Sequence, residues 1–235
     1  MTESNKPLDI AYYSDVLCVW AYVAQIRLEE LKANFKEKIE ITSYHVTFFG
    51  DTQKKMDDGW SERGGYAGFS KHVLEVGSQF PHLEINPNVW KSCKPATSGN
   101  AHLFLKAIDL LAQDSYSGSG KNLEHFKLLK EVEWAIRLAF FRDARDISQM
   151  EILFDIAGQF SISKKDIEPY LNNGSAMAQF CSELAMKETY KLDGSPTYLF
   201  NNKRQKLFGN VGYKILEANV AELLSSRDEG HASWC

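Results

Sequence analysis

Two short runs rich in β-branched and aromatic residues, LDIAYYS at 8–14 and IEITSYHV at 39–46, bracket a stretch in which Ala24, Leu28, Leu31 and Phe35 recur at helical spacing. The order reads β-α-β. It places Cys18, within SDVLCVWAY, at the first strand-to-helix junction.

After FFGD the pattern changes. Residues 51–68 are rich in Gly, Asp and Lys and read as a loop with little structure of its own. From there to about residue 190 the periodicity is mainly helical, with Phe126, Leu129, Val132, Ile136 and Phe140 forming one apolar face. Ser148 and Glu151 are spaced as a capping box, and Ser163 with Asp166 starts another short helix that Asn173-Gly174 would end. PTYLF and QKLFGN then read as two strands joined by Asn201-Asn202-Lys203-Arg204, because asparagine tolerates the positive φ of a tight hairpin. A closing helix carries Ile215, Leu216, Val220, Leu223 and Leu224.

A chain of 235 residues, 44% hydrophobic and 25% charged, can bury a real core as one domain with an insertion or as two. Its net charge of −4 offers no broad basic field, so neither nucleic acid nor an anionic membrane is an expected partner. No secretory leader or membrane-length apolar stretch is visible, and a cytoplasmic location is the expectation. Cys18, Cys93, Cys181 and Cys235 lie too far apart for a disulfide framework or a paired zinc site, and the six histidines show no metal-ligand spacing. No metal is expected. Each cysteine should be a thiol.

A β-α-β unit, a long helical insert and a final β-β-α unit is the thioredoxin-like order with a helical domain in its middle. SDVLCVWA resembles the S-D-x-x-C-P-W-C active-site stretch of the DsbA-like family, GSPTYLFNNKRQKLFGNVGY resembles its cis-proline loop and terminal hairpin, and RDIS at 145–148 resembles a segment of its insert. The resemblance implies an α/β thioredoxin-like fold with a large α-helical insertion: residues 1–50 and 191–235 form a discontinuous thioredoxin-like domain and 51–190 the helical insertion. Related branches are the 2-hydroxychromene-2-carboxylate isomerases and the kappa-class glutathione transferases, which usually carry serine where this chain has Cys18. The chain departs from the motif at Val19 and Ala21, which stand where the family has Pro and the second Cys.

A cysteine at a helix start faces unpaired amides and the positive end of the helix dipole, both of which favour thiolate. Asp15 opposes this if its carboxylate points the same way. The plainer alternative is that Cys18 is a small buried hydrophobe. Ala21 cannot supply the resolving thiol of a C-x-x-C site, so the resemblance implies a monothiol mechanism resolved by glutathione, a partner thiol or another cysteine. Cys235 is the candidate resolver because HASWC ends the chain; the alternative is a terminal thiol of no consequence. Cys181 reads as core packing, and Cys93 as a loop thiol whose pKa Lys91 and Lys94 could lower.

The family places the proline matching Pro196 in cis, facing the helix-start residue, with Ser195 before it and the tryptophan matching Trp20 lining the site. Asn100 and His102, in SGNAHLFLKA, open an insert helix and are candidate substrate contacts, although a satisfied core histidine is the commoner role. The expected function is a DsbA-like thiol-disulfide oxidoreductase or glutathione-linked thiol enzyme acting through Cys18 on protein or small-molecule thiols and disulfides. Glutathione is its candidate co-substrate, no cofactor is bound covalently, and a homodimer is allowed. The alternatives are a glutathione-dependent isomerase or transferase of the related branches, or a redox-inactive peptide-binding module on the same scaffold.

Overall fold

The computed structural model describes residues 6–115 and 122–229. They fall into two compact units: one contains the segments up to Ser14, Trp20–Tyr44 and from Leu192 onward, the other Asp15–Val19 and His45–Lys191. No helix among the described residues is long and apolar enough to cross a membrane.

The first unit is built on β1 (Leu8–Ser14), α1 (Val19–Phe35), β2 (Ile39–His45), β3 (Thr197–Phe200), β4 (Gln205–Phe208) and α9 (Tyr213–Glu229), and the sheet runs β2-β1-β3-β4. β1 and β3 are antiparallel, with Ile10 opposite Phe200 and Tyr12 opposite Tyr198. Alternation in the strands and three- to four-residue spacing in the helices bring one face of each into a shared core: Leu8, Ile10 and Tyr12 meet Leu28 and Leu31 of α1 and Leu216, Val220 and Leu223 of α9. Ile215, expected on that face, lies one position out of phase and is exposed. The β3–β4 loop uses positive φ at Asn201 and Asn202, as the sequence suggests, and at Lys203 as well.

The second unit is helical, with α2 (Thr52–Trp60), α3 (Gly65–Ser78), α4 (Gly99–Ser115), α5 (Asn122–Phe141), α6 (Met150–Gly158), α7 (Lys164–Asn172) and α8 (Ser175–Thr189). α4 packs on α5, α7 and α8. Leu129, Val132, Ile136 and Phe140 form the buried face expected of α5, while the Phe126 side chain lies outside the described residues.

The loop expected at 51–68 is mostly helix. Asp51 caps α2 by accepting from the Lys54 amide at 2.9 Å, and Thr52 and Met56 supply a buried face one turn apart. Gly64 and Gly65, both at positive φ, join α2 to α3, and Gly68 lets the chain pass close to the Arg63 carbonyl, where a Cβ would sit 1.7 Å from its oxygen. The glycines that suggested a loop are the joint between two helices. The capping box at Ser163 and Asp166 is present, and α7 stops at Asn172 before Gly174. The one expected at Ser148 and Glu151 is not: Gln149 is the N-cap of α6, and the Ser148 hydroxyl donates to Asp146 Oδ1 at 2.6 Å.

Candidate functional site

β1 delivers the chain at Ser14 into a four-residue turn, Asp15–Cys18, and α1 begins at the next residue. Every amide in that turn after Asp15 has its own acceptor. Val16 N–H donates to His102 Nε2 at 3.2 Å, Leu17 N–H to Asp15 Oδ1 at 2.9 Å, and Cys18 N–H to the Asp15 carbonyl at 3.0 Å. An aspartate folding back on the amide two residues on is the local signature of this turn, which explains why the sequence can switch so sharply from strand to helix.

The Asp15 carboxylate is wholly buried. Besides the Leu17 amide it accepts from Phe48 N–H at 2.7 Å, Phe49 N–H at 2.9 Å and Ser98 Oγ at 2.8 Å, so one side chain ties together three segments distant in sequence. Burial pushes its pKa up, against the pull of the four donors. His102 is also fully enclosed, and burial, then the neighbouring His45, hold its pKa well below the ordinary histidine value. The amide bond requires a lone pair on Nε2, so the ring is neutral while that bond stands. Its 3.8 Å approach to Asp15 Oδ1 is then proximity between a carboxyl group and a neutral ring, not an ion pair.

Behind the turn lies a buried polar array. Arg137 of α5 donates from Nη1 to the Asp15 carbonyl at 3.0 Å and from Nη2 to Glu133 Oε1 at 2.8 Å. Glu133 Oε2 is 3.5 Å from His45 Nε2, and the His45 and His102 rings are 5.4 Å apart. Burial opposes ionisation of Glu133, but His45 and Arg137 prevail and hold its carboxyl below the usual range. Lys106 pairs with Glu183, whose other oxygen accepts from the His45 amide at 2.7 Å.

Cys18 itself is 7% exposed and stands immediately before α1, whose first-turn amides have no partner within the helix. Ala21, one turn further on, is fully buried. Trp20 is half-buried as the second residue of α1. Ser195 and Pro196, joined by a cis peptide, immediately precede β3.

Of the two insert residues singled out by sequence, His102 joins the Cys18 turn, whereas Asn100 donates its side-chain amide to the Ser148 carbonyl at 2.8 Å. Cys181 is exposed rather than in the core, because the buried stripe of α8 is Ala176, Phe180 and Glu183. Cys93 is buried, and desolvation followed by the charge of Asp146 pushes its thiol up to about 11, the reverse of the lowering that Lys91 and Lys94 suggested. Cys235 lies outside the described residues. Sequence reasoning missed Ser98, His45, Glu133 and Arg137 altogether. For the last two a signal exists: they are four apart on α5 and each adjoins a residue of its apolar face, Val132 and Ile136.

No protein-family model matches the chain. Among solved structures, a candidate protein disulfide isomerase from Nitrosomonas europaea superposes with a TM-score of 0.68 at 14% identity, covering 96% of this chain and 100% of that one. 2-Hydroxychromene-2-carboxylate isomerase gives 0.62 at 13%, covering 95% and 100%. Cytosolic disulfide reductase DsbM from Pseudomonas aeruginosa gives 0.60 at 15%, covering 92% and 100%, and it has also been solved with GSH. At such identities the likeness is one of fold, and the fold shared with these proteins is the DsbA-like thioredoxin fold, a thioredoxin-like unit with a helical insertion.

Proposed function

We propose that the protein is a thiol-disulfide exchange enzyme in which Cys18 is the sole active-site nucleophile and glutathione the co-substrate. The observation that carries this reading is the position of Cys18: it ends a turn in which each amide after Asp15 has an acceptor, and it stands directly before α1, with alanine rather than cysteine one turn on. Amides and dipole at a helix start favour thiolate, and the turn before it is pinned by its own hydrogen bonds. The thiolate attacks one sulfur of a disulfide RS–SR′, forming Cys18–S–SR and releasing R′S⁻, which takes up a proton. The thiolate of a second molecule, GS⁻, then attacks the mixed disulfide at the R sulfur, leaving RS–SG and returning Cys18 as thiolate. Ala21 cannot take that second step, so the resolving thiol comes from glutathione, from a partner, or from Cys235.

DsbM shares the fold and has been solved with GSH, which supports glutathione as the small thiol. Trp20, Ser195 and Pro196 are our substrate-binding candidates, and a reducing cytoplasm is the compartment in which Cys18 would return to the thiol state. The test is incubation with oxidised glutathione followed by intact and peptide mass. A glutathione adduct on the Cys18 peptide supports exchange chemistry; adducts only on the Cys181 or Cys235 peptides overturn it.

The likeness to 2-hydroxychromene-2-carboxylate isomerase favours one other reading, in which glutathione binds at the α1 start without forming a disulfide and assists an isomerisation. Isomerase turnover that requires reduced glutathione and survives Cys18→Ser would select it.

A further inference from the structure

Arg137 is 1% exposed, and a guanidinium removed from water is costly unless its donors are met. The exchange step assigned to Cys18 makes no direct use of it. Yet Arg137 donates to the Asp15 carbonyl, the same oxygen that accepts the Cys18 amide, each at 3.0 Å. A single carbonyl therefore joins the cation to the backbone of the nucleophile. A charged donor polarises that carbonyl and fixes the plane of the Asp15–Val16 peptide more firmly than a neutral one would. The bond to Glu133 anchors the guanidinium on its own helix.

We propose that Arg137 is a positioning residue for the Cys18 thiolate, fixing the Asp15–Cys18 turn from α5 and placing a cation behind it. The inference rests on the reading of Cys18 as nucleophile. The charge at the turn is a balance: Glu133 faces Arg137 directly, the Asp15 carboxyl group and His102 face it from the turn and α4, His45 stands beyond Glu133, and Lys106 is paired with Glu183. Removing one member of the Arg137–Glu133 pair unmasks the other. The two removals must therefore act on Cys18 in opposite senses, which simple damage to packing would not do.

The experiment is site-resolved alkylation of Cys18 across pH, read by peptide mass on the full chain, with circular dichroism to verify folding. Arg137→Gln is expected to raise the midpoint of Cys18 labelling by about one pH unit, the effect of losing a nearby opposite charge. Glu133→Gln is expected to lower it, and Arg137→Lys, which keeps the charge but not both bonds, to raise it by less than Arg137→Gln does. If Arg137→Gln does not fold, Arg137→Lys and Glu133→Gln still must move in opposite directions. Midpoints that move together, or do not move, in folded variants overturn the role of Arg137 while leaving Cys18 as nucleophile. A wild-type midpoint at the ordinary thiol value, about 8.5, overturns the reading of Cys18 and this inference with it.

Discussion

The amide of Val16 donates to the imidazole Nε2 of His102 at 3.2 Å, across 86 positions of sequence, with neither residue exposed. An imidazolium has no lone pair to receive that bond. The loop that presents Cys18 therefore depends on His102 staying neutral, and burial is what keeps it so.

Because the folded pKa of His102 lies below the unfolded one, the unfolded chain takes up its proton first as pH falls, and stability is lost below about pH 6.5. By pH 5.5 the loss is on the order of 1 kcal/mol. His102→Gln, whose amide oxygen can still accept, does not titrate. The gap in urea midpoint between wild type and variant should narrow between pH 7.5 and 5.5. Parallel curves over that range would mean that His102 is not held neutral.

Asp15→Asn should destabilise the protein by about 2–3 kcal/mol at pH 7. Three amides and a hydroxyl converge on the two carboxylate oxygens, and replacing one oxygen by NH2 sets donor against donor where no water can intervene. Guanidinium denaturation is the measurement. A loss below about 0.5 kcal/mol would show that the carboxylate is not the tie between the turn, residues 48–49 and Ser98.

The cysteines should separate by pH. Cys93, pushed up to about 11, should resist iodoacetamide in the folded protein until strongly alkaline pH. Cys18 should label near neutrality if the helix start favours its thiolate, whereas Cys181 is exposed and open to the reagent. Peptide mapping after timed alkylation reads all three. Cys93 labelling ahead of Cys18 at pH 7 would contradict both assignments.

Ala21→Cys should reduce insulin disulfides faster than the parent, since residues 18 and 21 are one turn apart and the new thiol can attack the Cys18 mixed disulfide. Ala21 is fully buried, so the added sulfur must also be accommodated, and thermal melting should accompany the assay. Equal rates in a folded variant would show that the missing second thiol does not limit turnover.

The strands, the hairpin and the faces of α1 and α5 were legible because each depends on periodicity within a dozen or so residues. So was Cys18 at the strand-to-helix junction, since the motif that carries it is local. The α2–α3 pair was not: its glycines serve a joint between helices, and composition alone does not distinguish a joint from a loop. The polar array was hidden for another reason. His102, Ser98 and Arg137 reach residues 15–18 across 83 to 122 positions, and only the packing of α4 and α5 brings them there. Asp15, which by charge alone opposes a thiolate, is the clamp that shapes the turn.

The partners of the turn also set a timetable for synthesis. Cys18 leaves the ribosome long before Ser98, His102 and Arg137, the last of which follows Asp15 by 122 residues. At about 5–20 residues per second that interval is on the order of ten seconds. Until it has passed, the nascent chain carries a cysteine whose loop lacks the side chains that shape it, and whatever favours thiolate at the completed turn is not yet in place. Arg137 thus acts late: the turn that holds Cys18 acquires its setting only once α5 has been made, 122 residues after Asp15.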